Sequence, residues 1–181
     1  MPALIECSLD HMILAAGQTL DKFGKDQTGT VEYCINKQGW RSEYEYNFVP
    51  SYAFFGCSIV FGIGVPESQR FSNLFERSHN YGLAGRYGNA DIAETIQEFV
   101  NSEWYTPQVK MAVVWTSRDE DTIDEHWHKI ENYAIQHFFC GYAKERGYPM
   151  IRPLDADASG THMGPKSHSF LNKVLCANFS Q

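Results

Sequence analysis

Val109-Lys110-Met111-Ala112-Val113-Val114-Trp115 is a short, mostly apolar run, and the chain is organised around it and the residues that follow, as far as position 148. The length and residue types of this run are typical of a half-buried or central strand. Thr122-Ile123-Asp124-Glu125 comes next and has the form of a capping box, in which two side chains satisfy the first N–H groups of a helix. The sequence therefore predicts a strand and then a helix that begins at Thr122.

The helix predicted after this strand is long. Apolar residues recur at spacings of three and four, which places them on one face of a helix; they are Ile123, Trp127, Ile130, Ala134, Phe138 and Tyr142. Gly147-Tyr148-Pro149 would end the helix. A helix over residues 122–146 would be about 37 Å long at 1.5 Å per residue and would cross a small domain.

Elsewhere the patterns are shorter. Alternation of apolar residues over 29–36 and 40–48 predicts a β-hairpin, and the run over 53–65 predicts another strand pair or one bent strand. Asn89 can cap a helix that ends near Ser102. We therefore predict an α+β fold with an antiparallel β-sheet or sandwich core, an N-terminal helix and one long helix in the C-terminal half.

The two ends of the chain differ in pattern. Residues 8–23 carry a helical apolar stripe, which suits either a helix docked on the core or an arm that binds a partner. Residues 150–181 are rich in Pro, Gly, Ser, His and Asp and predict a largely irregular tail, with a final strand or turn over 170–179. No linker or repeat divides the sequence, so we expect one domain over 1–181.

Composition excludes several classes of protein. The 181 residues are 43% apolar, which is enough for one sizeable core. The formal net charge is −7 and no run of consecutive Lys or Arg occurs, so the charge argues against nucleic acid as a partner. The five cysteines include no C-x-x-C pair and favour reduced thiols. With no signal-peptide pattern and no apolar run long enough for a bilayer, we expect a cytoplasmic protein without a membrane partner.

Two Glu-x-x-His pairs match the helical spacing that carboxylate-bridged metal sites use, because residues i and i+3 share a helix face. The pairs are Glu76 with His79 and Glu125 with His128. Two such pairs arise easily by chance, and Glu125 already serves as the capping residue. The leading expectation is therefore no metal and no cofactor, with a metal-dependent enzyme as the alternative.

The tail holds a second group of reactive side chains. Asp155-Ala156-Asp157, His162 and Ser167-His168 bring acids, hydroxyl groups and imidazoles into one segment. This is what a His/Asp hydrolytic site uses, and it is equally what a solvated tail contains. His162 and His168 are therefore candidate catalytic residues of a small intracellular hydrolase.

Tyrosine is the most unusual part of the composition. The sequence contains ten Tyr, and several fall in predicted loops or hairpin edges instead of on apolar stripes. Exposed tyrosine is typical of protein interfaces, because it offers both apolar area and a hydroxyl group. We therefore predict self-association through two sets of residues, namely Leu9, Met12, Ile13 and Leu20 of the N-terminal stripe and the tyrosines Tyr44, Tyr46, Tyr81 and Tyr87.

The order of short sequence features along the chain is a further observation. After the N-terminal helix and the β-rich segment come, in order, Val65-Pro66, residues 74–79, Gly85-Arg86-Tyr87, the strand at 110–114, Phe139-Cys140, Tyr142, Tyr148-Pro149, residues 167–170 and Gln181. In this order the chain resembles the cypovirus polyhedrins, insect-virus proteins that crystallise inside cells as occlusion bodies. The resemblance implies a lattice-forming protein with a β-sandwich-like core, a packing helix at 8–23 and no catalysis. It also implies that a nucleotide could be trapped between subunits.

Two hypotheses follow. The leading one is a non-catalytic, self-assembling structural protein, similar to a viral occlusion-body matrix protein, whose partner is itself in a homo-oligomer or lattice. The alternative is a small intracellular hydrolase or metal-dependent enzyme that uses Glu76, His79, Glu125, His128, His162 or His168.

Overall fold

The structure is a computed structural model, and it describes residues 33, 35–83, 88–116, 129–140, 150–151 and 163–180. These residues form five strands and three helices: β1 Tyr52–Gly56, α1 Ser58–Phe61, β2 Ser78–Gly82, α2 Asn89–Val100, β3 Lys110–Trp115, β4 Ile135–Cys140, β5 Met150–Ile151 and α3 Pro165–Phe179. Two 3₁₀ turns, Glu67–Gln69 and Phe71–Leu74, lie between α1 and β2. Within these described ranges, no helix is both long and apolar enough to span a bilayer.

The five strands form one sheet in the order β2-β1-β3-β4-β5, and all four pairings are parallel. Helices cover both faces. Phe54 of β1 packs on Phe71 and on Phe179 of α3, whereas the next residue, Phe55, packs on Phe99 of α2. Because successive side chains of a strand point to opposite faces, α3 and α2 lie on opposite sides of the sheet. The result is a three-layer, doubly wound α/β fold.

The predicted antiparallel sheet or sandwich core is therefore wrong, and so is the β-sandwich-like core that the polyhedrin resemblance implied. Parallel strands covered on both faces are apolar along their whole length, so their sequences carry no alternation that would distinguish the pairing direction. In β1, Ala53, Phe54 and Phe55 are all buried. The run 53–65, predicted as a strand pair or bent strand, is instead the end of β1, a tight turn and α1.

The predicted hairpin is also wrong in the described part of its range. Only an isolated antiparallel bridge between Ile35 and Arg41 occurs there. Several side chains of this segment pack in the interior of the protein, although its backbone forms no hairpin. Trp40 and Tyr46 belong to the main core, and the guanidinium of Arg41 is buried.

The predicted long helix is wrong over residues 129–140, which the structure describes. Residues 129–134 form turns, and Ile135–Cys140 is strand β4, paired with β3. Ile130 and Phe138 are buried, as the stripe required, but on a turn and a strand. The spacing of apolar residues by three and four favoured a helix, but pairing with a neighbouring strand overrode this local pattern. Thr122 and Trp127 lie outside the described residues.

The strand predicted at 109–115 and the helix predicted from Asn89 are confirmed as β3 and α2. The tail, predicted as largely irregular, instead contains the fifteen-residue helix α3. Pro165 stands at its first turn, where a missing N–H costs nothing, so proline here starts the helix. The predicted helix at 8–23 lies outside the described residues.

Candidate functional site

The strand order indicates at which edge of the sheet a ligand would bind. The chain passes from β1 to β2 on one side and then returns to β3 on the other side of β1. In open α/β sheets, ligands bind outside the carboxyl ends of the strands at such a reversal of strand order. In this chain the reversal lies where β1 and β3 end, at Gly56 and Trp115.

Ser58 lies at this edge, two residues after the end of β1. It is the first residue of α1. Every residue from Ala53 to Ile63 is buried except Ser58, which is half-buried. Within the described residues its hydroxyl makes no hydrogen bond. A solvent-accessible hydroxyl on a strand-to-helix turn at the top of an α/β sheet is the position of the nucleophile in α/β hydrolytic enzymes.

A glycine makes the turn into α1 possible. Gly56 has φ +153°, and a Cβ atom there would lie 2.5 Å from the carbonyl oxygen of Val114 and 2.6 Å from Cγ2 of Val60. Only glycine fits this close approach of three chain segments. The backbone can then reverse within one residue, Cys57, before the helix begins at Ser58.

Buried polar groups hold α1 against β2. The Nδ2 atom of Asn80 donates to the carbonyl oxygen of Val60 at 2.8 Å and to Oγ of Ser72 at 2.7 Å. A Cβ atom on Gly82 would collide with the backbone of α1, at 2.6 Å from Cα of Phe61. The four-residue helix is therefore packed on the strand with no side chain between the two backbones.

A buried ionic cluster lies beneath the turn that follows α1. Nε of Arg41 is 3.0 Å from Oε2 of Glu67, and Nη2 of Arg70 bonds the other carboxylate oxygen. Nη1 of Arg70 also donates to the backbone oxygen of Arg41 at 2.7 Å. One carboxylate thus partly offsets two guanidinium groups, in a place where unpaired charges would be costly.

The end of β3 is tied to the start of α2. Oδ1 of Asn89 accepts the N–H of Thr116 at 3.0 Å, and Nδ2 of the same side chain donates to the carbonyl oxygen of Thr116 at 3.1 Å. Asp91 accepts the N–H of Gly88 at 2.7 Å. The N-terminus of α2 already holds a carboxylate, and this disfavours an additional anion there.

Helix α3 begins at the same edge of the sheet. Its last residue, Phe179, packs on Tyr52, and its carbonyl oxygen accepts a hydrogen bond from Nζ of Lys110 at 2.6 Å. Tyr52 and Lys110 are the first residues of β1 and β3. The C-terminus of α3 therefore lies at the amino edge, and a helix of this length, about 22 Å at 1.5 Å per residue, extends back toward the carboxyl edge. It begins after Gly164.

The shared helix face that the alternative metal site required is absent for Glu76 and His79. Glu76 is exposed in a turn, whereas His79 is fully buried on β2. Nδ1 of His79 is 2.9 Å from Oη of Tyr81, and burial lowers the pKa of the imidazole to about 3. In the part of the chain that the structure describes, no group of three His, Cys, Asp or Glu is arranged to hold a metal ion. Glu125 and His128 lie outside that part.

Of the two candidate histidines of the tail, the structure describes His168. Nδ1 of His168 accepts the backbone N–H of Phe71 at 3.4 Å, and the two rings stack with centroids 5.8 Å apart. His168 is buried in the first turns of α3 and joins that helix to the 3₁₀ turn. This is a packing role. His162 lies outside the described residues; in the sequence it stands two positions before Gly164.

The predicted tyrosine interface is wrong for Tyr46 and Tyr81, which are each 2% exposed. Oη of Tyr46 accepts the N–H of Asn80 at 2.7 Å and donates to its carbonyl oxygen at 3.1 Å. A tyrosine whose hydroxyl is satisfied by backbone can be a core residue. Tyr44 is 45% exposed. The other predicted interface residues lie outside the described part: Leu9, Met12, Ile13, Leu20 and Tyr87.

Sequence reasoning missed Ser58. Its signal was the small-residue triplet Gly56-Cys57-Ser58 between two apolar runs. The triplet lacks the second glycine of the G-x-S-x-G pattern of nucleophilic serines, and the flanking runs merge into one strand-like stretch. Comparisons of the chain with protein-family models, curated proteins and solved structures found no match. The geometry of the site is therefore the basis for a functional argument.

Proposed function

We propose that the chain is a small hydrolase in which Ser58 is the nucleophile and the substrate is a carboxylic ester or a related acyl compound. Ser58 carries this proposal, because it is the half-buried serine of an otherwise buried stretch and lies where β1 ends beside β3. Ligands bind at this place in doubly wound sheets. The self-assembling structural protein stays a prediction, with Tyr44 as the exposed tyrosine of its described interface residues.

The chemistry is acyl transfer to serine and then to water. Oγ of Ser58 bonds to the acyl carbon, the ester C–O bond breaks, and the alcohol leaves with the serine proton. A water molecule then attacks the acyl-serine, releases the carboxylic acid and returns the proton to Oγ. Both halves need a general base that accepts the proton from oxygen and gives it back.

The described histidines are poorly suited to be this base. His79 and His137 point to the face that α2 covers, whereas α1 packs on the opposite face. Burial lowers the pKa of both, to about 3 and about 4, so they hold protons weakly. His168 uses Nδ1 to accept a backbone N–H. The other four histidines lie outside the described residues, namely His11, His126, His128 and His162, and His162 is chosen for a variant because it belongs to the tail hypothesis.

A fluorophosphonate probe tests this proposal, because it reacts covalently with activated serines and needs no known substrate. We expect stoichiometric modification of Ser58, located by peptide mass spectrometry, and hydrolysis of p-nitrophenyl acetate or butyrate. Ser58→Ala should lower ester hydrolysis by at least about 10³-fold. Ser68→Ala is the matched control: Ser68 is exposed in a 3₁₀ turn, so its replacement should leave both the labelling of Ser58 and ester hydrolysis unchanged.

The histidine variants complete the test. His162→Ala tests the tail histidine, because loss of Ser58 labelling would identify it as the base, and His79→Gln should leave the labelling rate close to that of the wild type. A wild-type protein that is folded but takes up no probe and hydrolyses neither ester would contradict a serine hydrolase. Equal hydrolysis by the wild type and Ser58→Ala would show that another residue is the nucleophile.

A further inference from the structure

The last carbonyl groups of α1 are held by side chains from distant parts of the chain. The carbonyl oxygen of Val60 accepts from Asn80 at 2.8 Å. Nη1 of Arg41 donates to the carbonyl oxygen of Phe61 at 3.0 Å and also to that of Gly62. These are the groups that a helix leaves without internal partners at its C-terminus. A single turn of helix is unstable alone, so external donors must determine where α1 lies.

Arg41 also forms a hydrogen bond beyond the end of α1. Nη2 of Arg41 donates to the carbonyl oxygen of Val65 at 2.6 Å, so one guanidinium joins three carbonyls of the segment 61–65. The flat cation also lies over the ring of Tyr33, at 4.4 Å from the centroid, and Oη of Tyr33 accepts the N–H of Gly64 at 2.7 Å. Hydrogen bonds to the side chains of Arg41 and Tyr33 therefore fix the turn after α1.

The charge of Arg41 suits this position. A cation at the C-terminus of a helix is favourable, because the carbonyl groups there carry partial negative charge. Glu67 and Arg70 hold the guanidinium in orientation from the opposite side, through the contact of Nε with Glu67 and the bond from Arg70 to the backbone of Arg41. The planar fork of arginine can serve several acceptors at once, which a lysine ammonium cannot do in the same geometry.

We propose that Arg41 is a positioning residue for Ser58: it fixes the C-terminal end of α1 so that the serine at the other end of this one-turn helix is held in reactive orientation. This inference rests on the proposed function, because it concerns the same nucleophile. Arg41 is buried, so we expect it to act from behind the site and not by contact with a substrate. It acts through the carbonyls of Phe61 and Gly62, three and four residues beyond Ser58.

Labelling kinetics separate positioning from simple structural support. We would measure the maximal rate and the half-saturating concentration of fluorophosphonate labelling at Ser58 in the wild type and in Arg41→Lys. The maximal rate should fall about ten- to a hundred-fold, because a displacement of about 1 Å at a reacting group has an effect of that size. The half-saturating concentration should stay within about two-fold, because Arg41 lies outside the probe site.

Ile96→Val is the control for lost stability. Ile96 is buried on α2, against the other face of the sheet, and its truncation should reduce stability while Ser58 is labelled at the wild-type maximal rate. Gly62→Ala is a second test in case Arg41→Lys does not fold. A Cβ atom there would lie 3.0 Å from Nη1 of Arg41 and 3.0 Å from Cδ of Arg70, at a φ of +80°, so it would crowd both arginines while all charges remain.

The outcomes are distinct. A wild-type maximal rate in folded Arg41→Lys, or in Gly62→Ala if the first variant does not fold, would overturn the role of Arg41 and leave Ser58 as the nucleophile. An equal fall in Arg41→Lys and Ile96→Val would also overturn it, because stability alone would then explain the loss. No labelling of Ser58 in the wild type would overturn the proposed function and this inference together.

Discussion

A fall in pH from 7.5 to 4.5 is expected to lower the free energy of unfolding steeply, and His79 is the main reason. This side chain is fully buried between Tyr46 and Tyr81, with ring centroids 3.9 Å apart for His79 and Tyr46. Burial, with a smaller contribution from the charge of Arg77, lowers its pKa to about 3. The folded protein therefore keeps His79 neutral well below pH 6.

The direction of the pH effect follows from the unfolded chain, where a histidine titrates near 6.5. As pH falls through that value, the unfolded state binds a proton that the folded state does not, so stability is full above about pH 6.5 and is lost progressively toward pH 3. The slope is about 1.4 kcal/mol per pH unit, or roughly 3 kcal/mol between pH 6.5 and 4.5. His137, whose pKa burial lowers to about 4, acts in the same direction.

Urea unfolding at pH 7.5, 6.0 and 4.5 measures this effect. His79→Gln keeps a polar group beside the hydroxyl of Tyr81 but does not titrate, so its stability should change less with pH than that of the wild type. His137→Gln should remove a further part of the slope. The same pH dependence in the wild type and in His79→Gln would contradict the assignment to His79.

Replacement of Gly82 by alanine is expected to cost at least about 3 kcal/mol, because the new methyl group has no space. The Cβ atom would meet the backbone nitrogen of Phe61 and lie 2.6 Å from its Cα atom. Backbone cannot move aside as a flexible side chain can. Strand β2 and helix α1 would have to separate, and Asn80 would then lose its bond to the carbonyl oxygen of Val60.

Thermal and urea unfolding would measure this cost, with Gly88→Ala as the matched control. Gly88 precedes α2 with φ −110°, a backbone conformation that alanine adopts readily, so its replacement should cost less than about 1 kcal/mol. We also expect Gly82→Ala to slow labelling of Ser58, because α1 would shift. A Gly82→Ala protein as stable as the control would show that α1 does not pack on β2 this closely.

The candidate site illustrates why a sequence can specify an element and still conceal its role. Gly56, Cys57 and Ser58 were visible as small residues inside an apolar run. Their function depends on where β1 ends, and that end is set by contact with Val114, 58 residues away from Gly56 along the chain. Arg41 gave no signal either, because an isolated arginine in a predicted hairpin is typical of a solvent-exposed residue.

The sequence by itself determined the elements whose signals are local. Strand β3 followed from a short apolar run, and α2 from a stripe of buried residues after Asn89, because both patterns depend on residues a few positions apart. It also indicated some buried side chains where the element was wrong, although Ala134 of the same predicted stripe is exposed. Phe138 is in the core although its predicted helix is a strand.

Only the tertiary structure decided the parallel pairing, the strand at 135–140 and the assembly of the site. Parallel strands are joined by long crossover connections. Because such strands are buried on both faces, their sequences lack the alternation of apolar and polar residues that would indicate how they pair. The cluster of Arg41, Glu67 and Arg70 forms only when the fold brings Arg41 against the other two, and this pairing offsets the cost of burying the charges. Ser58 likewise becomes a candidate nucleophile only because β1 and β3 lie side by side and end at the same edge.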